Sequence, residues 1–233
     1  FMGAERRSAL MDPEELKNTA YHEAGHALVG WLMPKADPVH KVTIVPRGRA
    51  LGVTFFLPEK DNHCHDKIWY LSQISVAFGG RIAEEVFMNQ ATTGALSDFN
   101  SATQMARDMV MKYGMSDAMG PMVYAENEGE VFLGRSVTRT TNISEDTMRK
   151  VDAEVRRIID EQYAVARNLI ETHQDKMHAM ANALLEYETI DNEQLRDIME
   201  GRPPRPPKDW TPAPPKSGGS GGAPVVDRTP ATA

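Results

Sequence analysis

The spacing of apolar residues divides the chain into a helical majority and one short β-rich interval. Leu16, Ala20, Ala24, Ala27, Leu28, Trp31 and Leu32 recur at helical spacing. Asp12 suits the N-cap, Pro13 the first helical position, and Glu14 and Glu15 the positive end of the dipole. Pro34 ends that helix. KVTIVP (41–46) and LGVTFFLP (51–58), joined by RGRA, predict a hairpin or a pair of short strands. DNHCH (61–65) reads as a loop. A long apolar helix is predicted over 67–88, with Gly79 and Gly80 permitting close approach of a neighbour. QATTGALSD reads as a loop, and the next helix runs from Ser97 to Tyr113, with Gly114 at its end. Residues 115–141 read as irregular, with a short strand at EVFLG. Ser144 caps an amphipathic helix reaching Thr172, and shorter helices follow over 175–187 and 191–200. The expected fold class is mainly α, with a small β-hairpin or sheet portion.

From Gly201 onward, Pro, Gly, Ser and Thr dominate. Such a segment buries too little apolar surface to offset its ordering entropy, so residues 201–233 are expected to form a disordered tail. The chain's 233 residues suffice for one good-sized domain or two small ones. The 41% hydrophobic and 25% charged content fits a globular chain. A net charge of −7, with both signs mixed along the chain, gives no basic stripe for nucleic acid. Cys64 is the one cysteine, so no intrachain disulfide forms. No apolar run approaches the roughly 20 residues of a membrane span.

The stretch TAYHEAGHALVG carries the chemistry. His22 and His26 stand four apart, slightly more than one helical turn, so both rings project from one face toward a shared point. Zinc accepts two such imidazoles. Glu23 is displaced around the helix, poorly placed as a ligand but placed to take a proton from an attacking water and pass it to a leaving amine. A charged glutamate flanked by histidines among alanines and glycines has little use in packing. A catalytic site of this kind needs a third protein ligand. No histidine stands at the downstream spacing that completes many such sites, which leaves carboxylates: Asp98, opening the helix after TTGALS, and Glu84 in GGRIAEEVF. Residue types alone favour Asp98 slightly over Glu84. His63, Cys64 and His65 lie too close in sequence for a preformed tetrahedral site and read as exposed loop residues. His40 reads as structural, just before the first strand, and His173 and His178 as solvated.

TAYHEAGHALVG, DPVHKVTIVPRGRALGVTFFLPE, GGRIAEE, TTGALSDFNSAT, GPMVYAENEGEVFLGRS and HAMANALLEYETID occur in this order, and together they resemble the peptidase domain of FtsH, the membrane-anchored, ATP-dependent zinc metalloprotease family. The resemblance covers nearly all of residues 3–195. It implies that His22, His26 and Asp98 hold zinc and that Glu23 is the catalytic glutamate, a zinc endopeptidase acting on unfolded or threaded proteins. It implies a homo-hexamer enclosing a degradation chamber. ATP would be used only by an ATPase module preceding this domain, and the membrane reached only through segments before that, on the cytoplasmic side of the bacterial inner membrane. The chain has no Gly-x-x-x-x-Gly-Lys-Ser/Thr loop. Residues 1–11 are accordingly expected to be a linker from that module, residues 12–200 a zinc metallopeptidase domain, and the fragment soluble. The alternation in LGVTFFLP suggests that Val53, Thr54 and Phe55 lie on an exposed strand edge that pairs with substrate main chain. The rival function is a non-catalytic oligomerisation or adaptor domain with a structural metal. A deaminase lacks support, because its His-x-Glu plus Cys-x-x-Cys pattern is missing.

Overall fold

In a computed structural model, residues 11–46, 50–58, 64–124 and 143–207 are described. Six α-helices and a three-stranded antiparallel sheet follow in the order α1 (Pro13–Leu32), β1 (Val39–Thr43), β2 (Val53–Phe56), α2 (Lys67–Ala83), α3 (Leu96–Met111), α4 (Glu145–Thr172), α5 (Gln174–Tyr187), β3 (Thr189–Asp191) and α6 (Asn192–Met199). The expected mainly helical class with a small sheet is what forms.

Helix α1 is the central element. The Asp12 carboxylate accepts from the Glu14 N–H at 2.9 Å and Pro13 occupies the first turn. Its second half is largely apolar or small, and Ala20, Ala24, Ala27, Leu28 and Val29 are fully buried. The helix is therefore covered on most sides, and polar residues on it need a reason to be there. It packs against α2 with unusual closeness. A Cβ added to Gly25 would run into the Gly79 carbonyl, and one added to Gly79 would meet the Gly25 carbonyl oxygen at 2.5 Å. Two glycines facing each other bring the helix backbones into contact. Around this pair lie Ile74 and Ile82 of α2, Met109 of α3, Ile158 and Ile170 of α4, and Met177, Met180 and Leu184 of α5, in one continuous core.

Helix α2 starts at Asp66, whose carboxylate accepts from the Trp69 N–H at 2.8 Å. The apolar span predicted over 67–88 is helical throughout, but its last five residues, Glu84–Met88, wind as a π-turn ended by Asn89 at φ 51°. Such a turn widens the helix locally and re-aims its side chains, often at functional sites. Ser144 caps α4, as its sequence predicts, accepting from the Thr147 N–H at 3.2 Å.

The sheet has the order β2-β1-β3, so β2 is an edge strand. The predicted hairpin is β1–β2, paired with Val42 opposite Thr54 and Thr43 opposite Val53. The third strand has no counterpart among the sequence expectations. Its three residues, Thr189–Asp191, are too few to show a period, and they pair because tertiary packing brings them beside Lys41–Thr43. His40, expected just before the first strand, lies within β1 and is exposed. The expected strand at EVFLG falls outside the described residues. Beyond α6, Arg202 and Arg205 reach back to the buried Asp197, with Arg205 Nε 2.7 Å and Arg202 Nη2 2.8 Å from its carboxylate oxygens. Those two arginines belong to the stretch expected to be disordered; residues 208–233 of it are outside the described residues.

Candidate metal centre

Four elements converge on one cavity of about 690 Å³, lined among others by His22, Glu23 and His26 of α1, Thr54 of β2, Glu84 of the π-turn and Asp98 of α3. Helix α1 presents both histidines, with ring centroids 4.8 Å apart. Their Nε2 atoms lie 3.1 Å from each other. Asp98, in the first turn of α3, brings Oδ2 to 3.4 Å from His22 Nε2 and 3.6 Å from His26 Nε2. A tetrahedral zinc with bonds of roughly 2.0–2.2 Å separates its ligand atoms by about 3.3–3.6 Å. The His22, His26 and Asp98 triangle fits that size. It is the one group of three or more potential metal ligands within reach of each other among the described residues.

The ring orientations are fixed from behind. His26 Nδ1 is 2.8 Å from the Val76 carbonyl oxygen. A carbonyl only accepts, so Nδ1 carries the hydrogen and neutral His26 presents an Nε2 lone pair to the cavity. His22 Nδ1 is 2.8 Å from Glu84 Oε1. Burial alone would raise the Glu84 pKa, but hydrogen bonds from His22 and from the Thr92 N–H outweigh it and hold the group down at about 2. Glu84 is therefore an ionised acceptor for the His22 Nδ1–H, which leaves Nε2 as the nitrogen that faces Asp98. Glu84, the sequence's second candidate for third ligand, contacts the far side of the His22 ring. It is placed to orient the ring instead.

Glu84 also joins the two walls of the site. The Thr92 N–H donates to its Oε2 and the Thr92 hydroxyl to its Oε1, both at 2.9 Å. Arg81 donates to the Thr92 carbonyl and stacks over Phe99, with its guanidinium carbon 4.9 Å from the ring centroid. The loop that leads to Asp98 is thereby tied to the helix face that carries His22. Residue types gave no sign of Thr92 or Arg81; tertiary contacts to the Thr92 loop bring them in.

The electrostatics favour a cation. Burial opposes ionisation of Asp98, yet His22 and His26 hold its carboxyl far below the usual range. Burial pushes His22 down, but Asp98 and Glu84 prevail and raise it to about 10. Three carboxylates, Glu23, Glu84 and Asp98, surround two imidazoles, and such an excess of negative charge draws in a proton or a metal ion. Room for it comes from Gly80, where a Cβ would stand 2.5 Å from His22 Nε2 and 2.7 Å from His26 Nε2.

Glu23 is buried at 6% exposure, and its Oε2 accepts from the Thr54 hydroxyl at 2.7 Å. Thus β2 touches the motif directly. Val53, Thr54 and Phe56 line the cavity, whereas the Phe55 ring lies 5.0 Å from Lys41 Nζ. Cys64 is exposed and His65 stacks on Trp69 at 3.7 Å; His63 is outside the described residues. His178 is not simply solvated, since its Nδ1 lies 2.8 Å from the Tyr21 hydroxyl.

Fold and site together define a mainly helical domain that sets two histidines and a glutamate on one central helix beside a carboxylate supplied by another, the geometry of a candidate metal centre. The chain belongs to peptidase family M41, which it matches over residues 9–198. It is 56% identical to the ATP-dependent zinc metalloprotease FtsH of Cupriavidus metallidurans, over all of this chain and 36% of that protein. It is 51% identical to the protein of that name from Photobacterium profundum, covering 90% of this chain and 31% of the relative. The Buchnera aphidicola protein, from the subspecies Schizaphis graminum, is 50% identical over 90% of this chain and 35% of its own length. The chain thus spans about a third of the length of the curated relatives it matches.

Proposed function

We propose that this chain is the zinc-dependent endopeptidase domain of an ATP-dependent, membrane-anchored protease, hydrolysing peptide bonds of unfolded or threaded proteins. The observation that carries the reading is the triangle of His22, His26 and Asp98 ligand atoms, 3.1–3.6 Å on a side, beside the buried carboxylate of Glu23 in one cavity. Zinc held by these three side chains would supply Lewis acidity, which acidifies a water and polarises a carbonyl. The rest is done by the chain. His26 and His22, each donating through Nδ1, keep their Nε2 lone pairs directed at the ion. Glu23 takes the proton of the attacking water on a carboxylate oxygen. It then delivers that proton to the amine nitrogen as the peptide bond breaks.

The free edge of β2 is suited to hold an extended substrate. Strand order leaves one side of Val53–Phe56 unpaired within the sheet, and a peptide added there would run past the cavity that Val53 and Thr54 line. Substrate main chain would then be fixed by Val53, Thr54 and Phe55 while side chains enter the cavity. The relatives' names speak of ATP dependence, and the matched third of their length leaves room for an ATPase module and a membrane anchor outside this chain. No described helix is long and apolar enough to cross a membrane. In this reading the domain works as a homo-hexamer on the cytoplasmic side of the bacterial inner membrane. An adaptor with a structural metal has no use for a buried base beside its ligands, and such sites close all four positions with protein groups.

The test is cleavage of casein by the purified chain with and without zinc, beside Glu23→Gln. Zinc-dependent cleavage that disappears in Glu23→Gln, at equal zinc content, is the expected result. Equal cleavage by both proteins would remove Glu23 from the mechanism.

A further inference from the structure

We propose that Thr54 is the positioning residue of the base: its hydroxyl holds the Glu23 carboxylate in the one orientation that leaves Oε1 to receive the proton. This rests on the reading of Glu23 as the general base. Glu23 has three side-chain torsions and sits beside a cavity, so nothing in its own geometry fixes where its carboxylate points. Among the described residues, Thr54 is the only side chain hydrogen-bonded to that carboxylate, at 2.7 Å from Oε2. The same hydroxyl is 3.2 Å from the Glu23 carbonyl oxygen. A hydroxyl has one proton for these two acceptors, and the bond to the side-chain oxygen, 2.7 Å against 3.2 Å, is the shorter and stronger. The Thr54 oxygen is thus seated against both ends of one residue. Being β-branched and on a strand, Thr54 has little χ1 freedom of its own and makes a stiff support.

Gly52 completes the clamp from the same strand segment. A Cβ there would stand 2.7 Å from Glu23 Cγ and 2.9 Å from Oε1. The carboxylate is therefore held on one oxygen by Thr54 and given room at the other by the missing side chain of Gly52. The edge strand that borders the cavity also aims the base, so strand and chemistry are coupled through one side chain.

Three variants separate this role from packing. Thr54→Val keeps the shape and removes the hydroxyl; Thr54→Ser keeps the hydroxyl and removes the methyl; Gly52→Ala crowds Glu23 Cγ and Oε1 together with Thr19 Cγ2, side-chain atoms in each case. Cleavage of a quenched fluorescent peptide is measured for kcat and KM at equal zinc content. Thr54→Val and Gly52→Ala are expected to lose roughly 10- to 100-fold in kcat with KM retained, and Thr54→Ser to recover most of it. Crystal structures of the same variants, read without reference to turnover, are expected to show the Glu23 carboxylate displaced in Thr54→Val and in place in Thr54→Ser. Wild-type kcat in Thr54→Val, equal impairment of Thr54→Ser and Thr54→Val, or an unmoved Glu23 in Thr54→Val overturns the proposal. If Glu23→Gln cleaves like wild type, the reading of Glu23 as base fails, while the crystallographic comparison still decides whether Thr54 fixes it.

Discussion

Glu84 Oε1 lies 2.8 Å from His22 Nδ1, on the side of the ring opposite the nitrogen that faces Asp98. The carboxylate therefore acts on a prospective metal through the imidazole, by fixing its rotation and its tautomer. Because Thr92 donates twice to the same carboxylate, this one group also positions the loop that precedes Asp98. Outer partners of this kind are worth roughly 10- to 100-fold in metal affinity. Glu84→Gln, which turns an ionised acceptor into a neutral one, is expected to weaken zinc binding by about that factor. Competition with a chromophoric chelator measures it. Wild-type affinity would mean that Val76, through His26, and Asp98 suffice to hold the site in register.

The contact between Gly25 and Gly79 makes a prediction about stability. A Cβ at Gly25 meets main-chain atoms of α2, and those cannot swing away as a side chain would. Helix propensity favours alanine over glycine by roughly 1 kcal/mol. Overpacking a close-packed core costs typically about 1–3 kcal/mol, and a clash with backbone falls at or beyond the upper end of that range, so the steric effect wins. Gly25→Ala is expected to unfold at lower denaturant concentration than wild type. It is also expected to bind zinc more weakly, because moving α1 from α2 moves both histidines. A higher midpoint would show that the helices separate without cost.

Asp197 gives a pH dependence whose sign can be worked out. Arg205 and Arg202 donate to its carboxylate and hold it well below the usual carboxylate range. A group with a lowered folded pKa contributes stability that is fully present above its unfolded value, about 3.9, and is lost as pH falls through the folded one. The two arginines are half-exposed, at 55% and 52%, so water and salt screen the pair and the contribution is small. Arg205→Ala is expected to lower the thermal midpoint at neutral pH, by less at high salt, and the gap to wild type is expected to narrow as pH drops below about 4. A gap that widens toward acid would place the effect elsewhere.

Local signals in the sequence determined most of the secondary structure. Asp12, Asp66 and Ser144 sit where caps are found, each accepting from a main-chain N–H of its own helix. The apolar period marks α4 because that helix buries a definite face, and the period needs only the helix repeat to be read; α1, covered on most sides, is marked by its cap and its run of apolar and small residues. The pair His22 and His26, with Glu23 between, was legible for the same reason, since residues four apart share a helix face whatever the rest of the chain does.

Tertiary structure decided what lies between elements. Asp98 and Glu84 were both acceptable third partners by type. Their different positions, one at the Nε2 side and one at the Nδ1 side of His22, follow from how α2 and α3 pack on α1. Neither the π-turn that aims Glu84, nor Thr92 behind it, nor the reach of Thr54 from β2 to Glu23 has a local signature. The same holds for β3, whose three residues form a strand only because Thr43 and its neighbours are beside them. Sequence periodicity reports which face of an element is buried. The distance from that face to a residue tens of positions away is set by packing, and the site depends on such distances.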